Sequence, residues 1–312
     1  MPQLLPRSPV THPWSTVWRV ATEQGRFWLK YNAPLHRAEG SVQALLAEMA
    51  PGHVDAPLAI DPGHGWALTA DGGMTLLDTL PATGGIDVET LCRVLRDYAH
   101  LQRLTAGSGD RLRRAGMESL GPLDAARRVR DQADWMAQVA RGDPRHISEE
   151  DHQLVLRAVP ALEEAGQALD AGPVPLLFDH GDLWPGNVFV PRAGGRYRVF
   201  DLADAAWTHP FCSLVMLLHE CLYRWRLPKG QHVLDLRDPR IRTIFDSYFE
   251  GWTDLASLAS LRTLGQYALR IAALHQSRAW FRQLQLAGPR TLATQGQQPW
   301  HWLQDVTKEV LL

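Results

Sequence analysis

From residue 88 onward the chain is patterned for helices, with one interruption. Residues 175–204, PLLFDHGDLWPGNVFVPRAGGRYRVFDLAD, hold two strand-like runs joined by Arg192-Ala193-Gly194-Gly195. The first run needs only a turn before it, and Pro185-Gly186 supplies one. His180, Asp182 and Asn187 are therefore surplus to local structure. Pairing 187–191 with 196–202 as an antiparallel hairpin brings Asn187 beside Asp201 at its open end. Asp182, on the loop leading in, then faces the same cavity. The chain must fold as a helical body around an embedded hairpin whose open end gathers polar side chains.

The first eighty residues have a different character. STVWRVAT (15–22) and GRFWLKY (25–31) read as strands of a hairpin about Glu23-Gln24. A helix over 37–49 follows, then strand-like runs at 56–61 and 65–70 and a short apolar run at 74–80, giving a small sheet with one helix. PATGG (81–85) reads as a linker. Helical periodicity then covers 88–104, with apolar positions Leu91, Val94, Leu95, Tyr98, Leu101 and Leu104. It returns at 122–139, 149–169, 241–252 and 260–284. The expected fold is α+β and bilobal: a β-rich lobe over 1–80, a hinge over 81–87 and a helical lobe over 88–312.

Length and charge narrow the function classes. With 312 residues the chain can bury a sizeable core, and 32 basic against 34 acidic residues give a net charge of −2. Nucleic acid is not expected as a partner, since proteins that bind it concentrate positive charge. The locally basic stretch 111–130 reads as a solvated helix surface. Cys92, Cys212 and Cys221 lie in apolar surroundings without metal-like spacing, which suits a reducing cytoplasm. No signal peptide is expected at the start, and the longest apolar run, within 209–220, is too short to span a bilayer. The His219-Glu220 pair lacks the second histidine of a zinc-protease helix and is expected to be packing.

A carboxylate beside an amide oxygen makes a hard oxygen site suited to Mg²⁺, and a second carboxylate close by is free to accept a proton. Metal ligands next to a base are what phosphoryl transfer needs, because its transition state is stabilised by charge and positioning. His180-Gly181-Asp182-Leu183-x-x-x-Asn187 also fits the kinase loop pattern H-x-D-L-x-x-x-N.

HGDLWPGNVFV together with VFDLADA resembles the aminoglycoside phosphotransferase and choline-kinase-like family, whose members share the protein-kinase fold. The resemblance implies an enzyme using ATP and Mg²⁺ to phosphorylate a hydroxyl of a small molecule. It implies Asp182 as catalytic base, Asn187 and Asp201 as metal ligands and His180 as an organiser of the loop. It places Lys30 on the phosphates, with Glu39 as ion-pair partner and Glu48 as the alternative. Lys30 read by itself is equally an edge-strand lysine facing water.

One departure stands out. The stretch 12–20, HPWSTVWRV, where the family carries a glycine-rich phosphate loop, contains no glycine. Ser15 or Thr16 would then add hydroxyl donors to the backbone NH groups. Asp204 is expected to cap the next helix, with assistance to the metal or substrate as the alternative. Trp184 is read as lining the cleft or packing the loop. Twelve tryptophans and the acidic residues Glu220, Asp235, Asp238, Asp246, Glu250 and Asp254 leave the acceptor's charge open, aromatic walls and core packing both being available roles. Two readings compete with a small-molecule kinase. One is a nucleotide-binding regulatory pseudokinase, motivated by the glycine-free loop. The other is an enzyme acting on protein-bound sugar, since Leu-Trp in HGDLWPGN is similar to fructosamine kinases.

Overall fold

The computed structural model describes residues 9–312 except Thr83 and Gln231. The chain opens with β1 (Val10–Thr11), β2 (Ser15–Thr22) and β3 (Gly25–Asn32), then α1 (Glu39–Met49), β4 (Ala59–Asp61) and β5 (Trp66–Ala70). These strands form one antiparallel sheet in the order β1-β2-β3-β5-β4. β-branched and aromatic residues at alternate positions of β2 and β3 suit a pleated, half-buried surface. The run at 74–80, expected among the sheet elements, instead closes into a short helix, α2 (Leu76–Thr79). Its Thr75 and Asp78 form a reciprocal capping box, a local signal that overrides the apolar pattern.

The helical lobe begins with α3 (Val88–Leu104), capped by Asp87, followed by α4 (Gly109–Arg114), β6 (Glu118–Ser119), α5 (Ala125–Gln138) and α6 (Glu149–Asp170). Leu91, Leu95, Tyr98 and Leu101 of α3 enter the core, whereas Leu104, at the end of the same stripe, stays exposed. After β7 (Leu177–Asp179) comes the interrupting segment. The hairpin is there but shorter than expected: β8 (Val188–Phe189) pairs with β9 (Arg198–Val199) in the register Val188↔Val199. β10 (Ala206–Thr208) then inserts between β6 and β7. The chain finishes with α7 (Leu214–Arg224), β11 (Val233–Asp235), α8 (Pro239–Phe249), the 27-residue α9 (Leu258–Leu284), α10 (Pro289–Gln295), α11 (Gln298–Val306) and β12 (Glu309–Leu311).

The hairpin is wedged between the lobes. Val199 N–H donates to His53 O at 2.9 Å, and Phe189 stacks on Phe200 with centroids 4.1 Å apart. Gly72 lies against the Phe189 ring, where any Cβ would collide. The first-lobe turn can therefore ride directly over the hairpin. Among the described residues no helix is long and apolar enough to cross a membrane.

Candidate active site

β3 has a period of two, so Lys30 and Asn32 share one face. Both reach the same acid on α1: Glu39 Oε2 lies 2.7 Å from Lys30 Nζ and accepts from Asn32 Nδ2 at 2.7 Å. Glu39 Oε1 accepts from Leu202 N–H at 3.1 Å, so this one carboxylate ties the sheet to the segment following the hairpin. Lys30 Nζ also donates to Asp201 Oδ1 at 2.7 Å. Burial by itself would lower the Lys30 pKa, but Asp201 and Glu39 outweigh it and raise it, so the ammonium is permanent. Glu48, the alternative partner, points away and pairs with Arg111 at 2.7 Å.

In the loop leading into the hairpin, Asn187 Nδ2 donates to both the carbonyl oxygen and Oδ2 of Asp182, each at 2.9 Å. Asn187 O accepts from Phe200 N–H at 3.2 Å, which sets Asn187 at the hairpin end next to Asp201. Burial, and then the charges of Asp204 and Asp201, push Asp182 up to about 7. Asp201 moves the other way: burial opposes its ionisation, but Lys30 prevails and lowers it. Its backbone sits at φ 60°, uncommon for a residue with a Cβ, while 47% of its side chain remains open to the cleft.

His180 organises the loop from inside the core. Its Nε2–H donates to Phe200 O at 2.9 Å, and its Nδ1 accepts from Asp182 N–H at 3.3 Å. That pattern requires the neutral ring, and burial accordingly lowers its pKa to about 4. Gly181 takes φ 77°, and a Cβ there would run into the Asp204 carbonyl oxygen, so glycine is required between His180 and Asp182.

Several expected residues fall elsewhere. Ser15 pairs with Asn32 and shares the face of Lys30, but Thr16 pairs with Tyr31 and faces the opposite side of the sheet. The turn preceding them is His12–Trp14, and Trp14 packs edge-on against Trp280 of α9 with centroids 5.8 Å apart. Asp204 does not cap the following helical turn, a position taken by His209. It turns back toward Asp182 and meets Gln283 Nε2 at 3.3 Å. Trp184 packs over Gly186. Of the late tryptophans, Trp252 and Trp300 are buried in the core, and His219 stacks near Trp302 while pairing with Asp305 at 3.2 Å.

Sequence reasoning passed over Asp179, buried at 2% exposure, which accepts from Gly181 N–H at 2.6 Å and is pushed up to about 7 by burial. It also missed His36, whose Nδ1–H donates to Ala203 O at 2.8 Å, and Gln276, which donates to Gly181 O. The one available signal was on α3: Tyr98 and Gln102 are polar-tipped residues one turn apart on an apolar face. Tyr98 OH accepts from His180 N–H at 2.9 Å, and Gln102 donates to Phe178 O at 3.0 Å.

A two-lobed α+β fold with a lysine–glutamate pair in its sheet lobe and acidic groups at an embedded hairpin end defines the protein-kinase-like class. The family profile described as phosphotransferase enzyme family matches residues 7–261, and the chain belongs to that family. It is a phosphotransferase of the kinase type. Among solved structures it is similar to a choline/ethanolamine kinase family protein from Mesorhizobium loti, with TM-score 0.61 and 17% identity over 97% of this chain and 88% of that one. The ethanolamine kinase of Plasmodium vivax gives TM-score 0.60 at 10% identity, covering 97% and 82% of the two chains. The GDP and kanamycin complex of APH(2″)-IIIa gives 0.61 at 12%, covering 98% and 95%. No curated protein sequence matches the chain.

Proposed function

We propose that the protein is an ATP-dependent, Mg²⁺-dependent kinase that phosphorylates a hydroxyl group of a small molecule. The observation that carries this reading is the convergence of Lys30 and Glu39 from the sheet lobe on Asp201 at the hairpin end, beside the Asp182–Asn187 pair. Lys30 would hold the nucleotide phosphates, and Glu39 would fix its position. Three buried free cysteines are in keeping with a reducing, cytoplasmic setting.

The donor set fits Mg²⁺. Asn187 has its amide nitrogen committed to Asp182, which leaves the amide oxygen as a donor, and Asp201 offers a half-exposed ionised carboxylate. Among the described residues no three His, Cys, Asp or Glu side chains cluster as an all-protein metal cage. None is needed, because Mg²⁺ takes one or two protein oxygens and completes its shell with phosphate oxygens and water. Bound there, the ion would neutralise charge on the transferred phosphate. Asp182 would orient the acceptor hydroxyl and take its proton as the O–P bond forms, a role for which a carboxylate poised near 7 is suited.

The test is calorimetric titration of ATP with and without Mg²⁺, on the wild type and on Asp201→Asn. Binding that needs Mg²⁺ and weakens in the variant is the expected result. A wild type that binds no nucleotide would mean that the glycine-free loop has lost its nucleotide, and the kinase reading would fall.

A further inference from the structure

Beside the polar loop lies a cavity of about 90 Å³ that runs from Gly181 and Asp204 along α9 to Glu118, Arg278 and Arg282. The same two arginines wall a second, open groove of about 400 Å³ between α5 and α9. Its other bank carries Arg127, Arg128 and Trp135, and Trp135 meets Phe281 edge-on with centroids 4.7 Å apart. Among the described residues one carboxylate serves both shared arginines: Glu118 accepts from Arg278 Nη1 at 2.7 Å and also from Arg282. On the far bank Arg127 reaches Asp124 at 2.9 Å and Asp131 at 3.3 Å, while Arg128 stands 3.6 Å from Asp124. Four guanidiniums thus face three carboxylates, and Arg128 Nε is buried with no partner among the described residues. His275, in the wall of the first cavity, is lowered to about 3 by burial and then by the positive charge of Arg128 and Arg278.

A cationic acceptor would want the opposite, namely acids left without counter-ions. On the outer face of this lobe Glu220, Asp235, Asp238, Asp246 and Asp254 are each paired with an arginine, and Glu250 is exposed without an ion-pair partner among the described residues. Taking the kinase reading as given, we propose that the α5–α9 groove is an acceptor subsite for an anionic group, a phosphate or carboxylate on a hydroxyl-bearing small molecule, held by Arg278 and Arg282. The planar fork of a guanidinium matches both anions in two-point geometry. The Trp135–Phe281 corner supplies an apolar wall for the rest of the molecule.

The test is calorimetry on the full chain with glycerol 3-phosphate as the probe and choline as a cationic counterpart of similar size, each with and without Mg²⁺ and ADP. Saturable binding of glycerol 3-phosphate is expected at about millimolar affinity, weakened at least tenfold in Arg282→Gln and Arg278→Gln. Arg127→Glu reverses an exposed charge of the groove without disturbing the core, so it reports even where the other variants do not fold, and a several-fold loss is expected. The proposal is overturned if the wild type shows no saturable binding, if the arginine variants bind as the wild type does, or if choline binds more tightly. Arginine-dependent binding of the probe by a chain that binds no ADP would break the kinase reading and leave the anion subsite in place.

Discussion

The cleft and the rim of the helical lobe treat acidic residues in opposite ways. On the rim several acids have their own arginine, as in the pair Asp246–Arg262 at 2.6 Å or Asp254–Arg103 at 2.6 Å. In the cleft Asp182, Asp201, Asp204 and Glu39 crowd around the single ammonium of Lys30, and burial raises Asp182 and Asp204 while Lys30 lowers Asp201. Balanced pairs at a surface do little beyond local fastening. Carboxylates in excess of positive charge in a partly closed cleft are costly, and pKa values driven apart in this way are what the proposed site would need.

The largest effect that sharpens this contrast is at Asp182. Asp182→Asn should lower turnover by about 10²–10⁴-fold while leaving ATP affinity within a few-fold, read by ADP release against ATP calorimetry. Full turnover in the variant would move the base elsewhere. Next comes Glu39→Ala, which leaves Lys30, Asn32 and Leu202 N–H short of a partner inside the protein. It should cost about 3 kcal/mol in urea unfolding. A cost no greater than that of a rim pair would mean that Glu39 belongs with the fasteners.

A more gradual effect should appear as a pH slope. Asp179 is folded with its pKa raised to about 7 from an unfolded value of 3.8, so its contribution to stability is full below 3.8 and lost as pH rises through 7. Asp179 by itself should therefore withdraw on the order of 4 kcal/mol across that window, and Asp179→Asn should remove that part of the slope. Parallel slopes in the two proteins would remove Asp179 from the buried, mismatched class. The smallest effect belongs to the rim: Asp246→Asn should change stability by less than about 1 kcal/mol, and adding salt should shrink the difference further.

How much could be read from the chain depends on whether a feature is local. The hairpin, its open end and the meeting of Asn187 with Asp201 follow from turn residues and strand spacing, all within 178–202. Lys30 was legible because a strand carries it, and Glu39 because the next helix begins with it. The choice of Glu39 over Glu48 was not, since it depends on which end of α1 rests on the sheet. Asp204 was misplaced for a related reason. A short polar residue ahead of a helical turn reads as a cap, but Gln283, 79 residues later, and the crowding at Asp182 give it another place. The run at 74–80 shows the converse, a local capping box defeating an apolar pattern.

By itself the sequence determined two lobes of different character and a polar loop entering a hairpin, because helical and strand periodicities are properties of neighbouring residues. Only the tertiary structure decided which charges are compensated. Arg278 and Arg282 lie about 160 residues from Glu118, and no spacing rule joins them. Of the acids that sequence left open as a cation-binding surface, all but Glu250 are paired with an arginine in place, while the α5–α9 groove gathers four arginines. Charge balance is set by what packs against what, and packing is not a local property of the chain.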